Sequence, residues 1–309
     1  MKRLFGYVLI GVSALLIFWF AQSPVSTDEL SNTSPVLKDR NGAWLNVRTV
    51  DNGTWRIAAD LDEIDTIFLE TLIEIEDSRF YSHSGVDGAA ILRALKSWHD
   101  AGEIVSGAST ITMQLVRQYK PRPRTIRSKF IESLEALRFE LHYSKAEILE
   151  QYLTRISYGG NIEGIEAASR IYLGKSPKYL SPDEIALLVS LPQAPEARRP
   201  DRNAQGAKGG RDRILRRMAN DNLISAKALK ESRQAPIPLT RASLPTQAWL
   251  TAQRLSKSGE HVQSYLDPKI QTPLERRLSE YVGSLPEPVN ASAIPVSYTH
   301  LTLPTTSRV

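Results

Sequence analysis

The 309-residue sequence contains no cysteine, so disulfide bridges and thiolate metal sites are excluded. No Ser-x-x-Lys tetrapeptide occurs, which removes the acyl-enzyme nucleophile of that type. Long uncharged runs are also scarce. The one of note, Leu4 to Ala21, is 18 residues long. As a helix rising 1.5 Å per residue it spans about 27 Å, close to the hydrocarbon thickness of a bilayer. Lys2 and Arg3 precede it, and Trp19 and Phe20 stand at its far end, where aromatic side chains favour the interface. The positive flank belongs on the cytoplasmic side, which puts the rest of the chain outside. A cleaved signal peptide is the alternative. The run is long for one, and no small-x-small cleavage site follows it. The expectation is an uncleaved anchor over residues 1–22.

What is present suits a folded domain. Hydrophobic residues make up 41% and charged residues 24%, which supplies a core. The formal net charge of +5 favours anionic partners without choosing among them. Residues 23–60 read as a polar tether and a small β element. Val36-Leu37, Trp44 to Val47 and Trp55 to Ile57 are strand-like, and Asn41-Gly42 and Asn52-Gly53 lie between them as hairpin signals. Residues 61–233 read as helical. Ser144 to Glu147 is a capping box, followed by an apolar face of Ile148, Leu149, Tyr152, Leu153 and Ile156. Ser181 to Glu184 is a second, with Pro182 at the first helical position. Residues 234–294 read as a proline-bearing linker and one further strand and helix near Tyr265 to Val282. Residues 295–309 have no hydrophobic period and read as a non-native tail.

Three segments carry chemistry-bearing residues. Glu76-Asp77 closes an apolar helix beside Phe80 and His83, a pattern open to a general base or to an acidic surface turn. Gly107 to Arg117 brings small and hydroxyl side chains, with Ser109, Thr110 and Gln114; it serves a ligand or caps a helix. The third segment is basic, with Arg117, Lys120, Arg122, Arg124, Arg127 and Lys129, followed by Glu132, Glu135 and Glu140. Lys129 and Glu132 share a helix face at i, i+3. Acid beside base there suits a metal–pyrophosphate site and equally an ordinary ion pair.

Taken in order, these segments resemble glycosyltransferase family 51, the polymerase domain of class A penicillin-binding proteins. Glu76-Asp77-x-x-Phe80-x-x-His83-x-Gly85 is similar to its first motif, Gly107 to Arg117 to its second, and Lys129-x-x-Glu132-x-x-x-Ala136-x-x-Phe139-Glu140 to its third. Ile148-Leu149-Glu150-x-Tyr152-Leu153, with Gly159, Gly164 and Gly174, resembles the fourth. Leu180-Ser181-x-x-Glu184, then Leu191-Pro192-x-x-Pro195, resembles the fifth. Five ordered motifs over about 120 residues are far more specific than any one alone. Met113, where many members carry glutamine, and Pro121 to Arg124 are similar to the one-C type. Ser128 stands for a usual arginine, with Arg127 as its substitute, and Thr154 for a usual asparagine. Tyr265-Leu266-Asp267-Pro268 resembles the start of a transpeptidase region, and the chain then stops, as a carboxy-terminally truncated fragment would.

The resemblance implies a mainly α, lysozyme-like glycosyltransferase domain with a small amino-terminal β element and one transmembrane helix. It implies polymerisation of lipid II into β-1,4-linked glycan with inversion at the donor anomeric carbon. Glu76 is the implied base, and Glu132 is the second implied catalytic carboxylate, binding a divalent cation (Mg or Mn) or ordering the basic groups. Asp77, Phe80, His83, Ser109, Thr110, Gln114, Arg117, Arg127 and Lys129 are the implied substrate contacts. The implied partners are lipid II, the growing glycan on polyprenyl pyrophosphate, the bacterial cytoplasmic membrane and other cell-wall synthesis proteins. The implied location of the catalytic domain is periplasmic or otherwise extracytoplasmic, behind a single membrane pass. Ile91, Leu92, Leu95 and Trp98, between the first two motifs, are expected to dip into the interface. A lysozyme-like hydrolase and a non-catalytic membrane scaffold are the rivals. A nucleic-acid binder is disfavoured, because Phe130 is the only aromatic between Lys120 and Arg138.

Overall fold

The computed structural model describes residues 26–93, 109–255 and 259–286, with isolated residues elsewhere. Most of the expected anchor, all of 94–108 with Leu95, Trp98, Gly107 and Ala108, and most of the tail lie outside the described residues. No helix among the described residues is long and apolar enough to cross a membrane.

The body is helical. Helix α1, Thr66–Asp77, starts where Asp65 accepts hydrogen bonds from the Ile67 and Phe68 backbone N–H groups, and buries Phe68 and Leu72 one turn apart. Helix α2, Ile111–Tyr119, is capped by Thr110, and α3, Ile126–His142, by Thr125. Helix α4, Lys145–Arg155, opens with the expected capping box. The Ser144 hydroxyl and backbone N–H hold the Glu147 carboxyl below its ordinary range. Helix α5, Ile165–Ala168, runs into a widened π turn, Ser169–Leu173. Helix α6, Pro182–Ser190, carries the second capping box and a fully buried stretch from Ile185 to Ser190, which continues into a 3-10 turn, Leu191–Gln193. Helix α7, Ala204–Asn220, packs along α6, and α1 also packs on α6, while α2 contacts both α3 and α4. One continuous apolar core joins them, with Tyr152 and Tyr158 fully buried within it. Helices α8, Ala226–Ser232, α9, Trp249–Leu255, and α10, Pro268–Val282, complete the chain.

The amino-terminal strands do not form a separate unit. Strands β1, Val36–Lys38, and β2, Trp44–Val47, make the expected antiparallel hairpin across Gly42, whose φ of 87° requires glycine. Strand β3, Trp55–Arg56, leaves that hairpin. It pairs in parallel with β5, Ile162–Glu163, which is antiparallel to β4, Ser157–Gly159. The Asn52-Gly53 turn is present, but the strands it joins enter different sheets. Strand β6, His261–Gln263, returns to pair in parallel with β1, just ahead of the Tyr265 start expected for it. Residues on both sides of the 60/61 boundary therefore share one sheet.

Candidate active site

Glu76 is the penultimate residue of α1 and is half-buried. Each of its oxygens accepts a hydrogen bond from a glutamine side chain. Gln114 Nε2 of α2 donates to Oε2 at 2.9 Å, and Gln193 Nε2, at the end of the 3-10 turn, donates to Oε1 at 3.2 Å. Behind Gln114, the Tyr152 hydroxyl of α4 donates to its amide oxygen at 3.3 Å. Burial and the charge of Glu76 push the Tyr152 and Tyr158 phenols well up, so both stay neutral beside the carboxylate.

The rest of the first motif is structural in its contacts. The Asp77 carboxylate faces His83 Nε2 at 3.0 and 3.1 Å and accepts from the Ile111 backbone N–H at 2.9 Å, so it ties the end of α1 to the start of α2. A carboxylate facing Nε2 assigns the ring proton to that nitrogen. Phe80 is fully buried, with the Lys145 ammonium 4.4 Å from its ring centroid. Thr110 donates to the Gly85 carbonyl at 2.6 Å while capping α2. Gly85 has φ of 85°, and a Cβ there would meet the Ala136 carbonyl of α3 at 2.6 Å. Only glycine allows the first motif to lie against the third. Of these expected substrate contacts, Phe80 is fully buried and His83 is turned onto Asp77, while Asp77 and Thr110, although buried, line a cavity together with Glu76.

Ser109 differs, because its side chain reaches a cation. It lines a cavity of about 120 Å³ with Glu76, Ser78, Asp87 and Arg93, and its hydroxyl accepts from Lys129 Nζ. Through Ser109, Lys129 of the basic cluster is tied to the wall of the cavity that Glu76 lines. Burial, reinforced by the Arg117 charge, lowers the Lys129 ammonium below the ordinary lysine range, with Glu132 opposing. Arg117 forms a fork onto Glu132, Nε to Oε1 at 3.1 Å and Nη2 to Oε2 at 2.9 Å. Gln114 and Arg117 stand three residues apart on α2, so one helix face serves both carboxylates. Glu135, also buried, faces Lys120, Arg122 and Arg138 at 3.4, 3.9 and 3.7 Å. Arg127 is exposed and makes no ion pair among the described residues.

The residues do not fit a metal held by the protein. Both Glu132 oxygens are engaged by Arg117, and no group of three His, Asp or Glu side chains disposed to hold a metal occurs among the described residues. In this structure the Glu132 carboxylate orders Arg117. The two unusual positions are accommodated. Ser128 is buried under the α3 cap, with Oγ 2.9 Å from Thr125 Oγ1. Thr154 Oγ1 accepts from the Ala59 N–H at 2.9 Å and donates to the Glu150 carbonyl at 2.7 Å.

Sequence reasoning missed Gln193, Arg198 and Tyr158 as neighbours of Glu76. Gln193 stood inside the fifth motif as an unassigned position, and Tyr152 had been read as core. Its ring is core, but its hydroxyl is at the site.

Comparison with known proteins agrees with the family that the motifs imply. A family model described as Transglycosylase matches residues 44–219. Penicillin-binding protein 1C of Escherichia coli is 39% identical over 255 residues, covering 81% of this chain and 33% of that protein. Penicillin-binding protein 1B of Haemophilus influenzae is 36% identical over 250 residues, covering 74% and 32%. Penicillin-binding protein 2D of Bacillus subtilis is 33% identical over 251 residues, covering 75% and 36%. The chain spans about a third of the length of these curated relatives. With a family match over more than half of its residues, the chain belongs to the transglycosylase family, glycosyltransferase family 51.

Proposed function

We propose that this chain is a peptidoglycan glycosyltransferase that polymerises lipid II into β-1,4-linked glycan. The observation that carries the reading is that Glu76, held by two neutral amides, and Ser109, whose hydroxyl accepts from Lys129 of the basic cluster, line one cavity. A carboxylate able to take up a proton, with a cation held close to the same cavity, is what glycosyl transfer from a pyrophosphate donor requires.

In the proposed reaction, the acceptor sugar 4-hydroxyl attacks the donor anomeric carbon from the face opposite the pyrophosphate. The new C–O bond forms as the anomeric C–O bond to pyrophosphate breaks, and the anomeric centre inverts. The hydroxyl proton passes to Glu76, and the bonding electrons leave with the pyrophosphate. The geometry is that of an inverting glycosidase, with a sugar hydroxyl in place of water. Lys129 and Arg117 neutralise the charge growing on the leaving group, and exposed Arg127 meets the pyrophosphate from the solvent side. Glu132 holds the Arg117 fork in place. No step is assigned to a divalent cation, because the donor set does not fit one.

The substrate is lipid-linked, so the cleft works at a membrane surface. We propose that Leu4 to Ala21 anchors the chain in the bacterial cytoplasmic membrane with its body outside, on a lysozyme-like framework. The test is incubation of the detergent-solubilised chain with lipid II. The expected result is a polymer that a β-1,4 muramidase digests. Hydrolysis of added glycan without polymer formation would favour the hydrolase instead.

A further inference from the structure

Both oxygens of Glu76 accept from amides, and among the described residues neither forms an ion pair with a cation. A free carboxamide rotates readily, and turned about it would present its oxygen to the carboxylate and repel it. Each glutamine is prevented from turning by a donor behind it. For Gln114 that donor is the Tyr152 hydroxyl. For Gln193 it is Arg198, whose Nη1 donates to the amide oxygen at 3.0 Å. Arg198 is fixed in turn by donating to the Ser190 carbonyl at the end of α6, at 2.6 Å.

We propose that Gln193 and Arg198 are positioning residues for Glu76: Arg198 orients the Gln193 amide, and the amide holds the carboxylate in its proton-accepting pose. This rests on the reading of Glu76 as the base. Arginine set directly on Glu76 would form a fork over both oxygens, as Arg117 does on Glu132, and would crowd out a substrate hydroxyl. An interposed amide gives one neutral hydrogen bond to one oxygen and leaves further lone pairs for the acceptor. The arginine charge still polarises that amide, because hydrogen bonds in a chain strengthen one another. The mounting is rigid. Gln193 ends a 3-10 turn that continues the buried α6, with Leu191 fully buried and Pro192 restricting the backbone. Gln193 itself is exposed at the cleft, so its side chain is not a core packing element.

Steady-state kinetics of the full chain on lipid II in detergent test this, with Glu76→Gln measured beside the variants. Gln193→Met keeps the shape and removes the donor. It is expected to lower kcat about 10- to 100-fold, the loss typical when a supporting partner of a reactive group is removed. KM should stay within about threefold and the melting temperature within about 2 °C, since no buried contact is lost. Arg198→Ala should lower kcat in the same direction, and Arg198→Lys should recover part of it. The decisive comparison is the double variant. Gln193→Met with Arg198→Ala should be no slower than Gln193→Met alone, because Arg198 acts only through Gln193. Parental kcat in Gln193→Met, a change confined to KM, or additive losses in the double variant would each overturn the relay. Should Arg198→Ala fold poorly, Gln193→Met and Arg198→Lys decide the matter by the same criteria. Turnover retained by Glu76→Gln would instead overturn the reading of the base itself.

Discussion

Glu76 and Glu132 are both served by α2, yet they are held in opposite ways. Glu76 is half-buried and accepts from two neutral amides, Gln114 and Gln193. Glu132 is 3% exposed and locked by both arms of the Arg117 guanidinium. A carboxylate that must take up a proton cannot be tied up by a fork of cationic donors, and one that must hold a cation in place gains from it. On the proposed reading, one helix supports the reactive carboxylate through Gln114 and an architectural one through Arg117. Lys129 stands between the two roles, since its ammonium bonds the neutral Ser109 hydroxyl and, among the described residues, forms no ion pair with a carboxylate.

The largest effect expected from breaking this contrast is on turnover. Glu76→Gln keeps the shape and removes the proposed base, and should lower the rate of lipid II polymerisation by about 10²- to 10⁴-fold. A radiolabelled lipid II assay resolves such a loss. Arg117→Ala should fall next, and on stability as well as on turnover. It leaves Glu132 buried without its partner, a situation that costs about 3–5 kcal/mol in typical buried pairs. Glu132→Gln should cost less, because Arg117 is one-third exposed and solvent can take over part of its pairing. Urea denaturation of both variants checks that order, and an equal loss would mean that burial does not separate the two partners.

Lys129 sharpens the comparison through pH. Its folded pKa is lowered by burial first and by Arg117 second, so its charge is lost at a lower pH than that of a free lysine near 10.4. If the charged form is the one that serves the leaving group, turnover should decline on the alkaline side below that ordinary value. Lys129→Arg should move the decline to higher pH, because guanidinium does not deprotonate there. A rate profile with the same alkaline limb in both proteins would remove Lys129 from that role. The smallest effect belongs to a site remote from both carboxylates. Ser144→Ala removes the α4 cap and should cost about 1 kcal/mol of stability without changing kcat.

Much of this was legible in the sequence where the signal is local. Both capping boxes, the α1 helix ending at Glu76-Asp77 and the turn at Gly42 follow from short-range chemistry, and the structure contains each of them. The ordered motifs gave the family, which the comparisons establish. The pairings β1–β6 and β3–β5 were not legible. Each is parallel, uses strands of two or three residues and joins segments more than 100 residues apart, so no turn or alternation announces it. The division of labour inside the first motif was hidden for a related reason. Asp77, Phe80 and His83 follow Glu76 closely in sequence, but Asp77 and His83 pair with each other and Phe80 is fully buried, while the two Glu76 oxygens meet glutamines from α2 and from the turn after α6. Gln193 reaches Glu76 across 117 positions, and only the packing of α1 on α6 brings them together.

The claim that separates the two carboxylates is tested most directly by measuring turnover and thermal melting on the same preparations of the parent, Glu76→Gln and Glu132→Gln. Glu76→Gln should lose at least about 100-fold in turnover while melting within about 2 °C of the parent, and Glu132→Gln should melt several degrees lower. Near-parental turnover by Glu76→Gln, or a melting temperature for it as low as that of Glu132→Gln, would contradict the account.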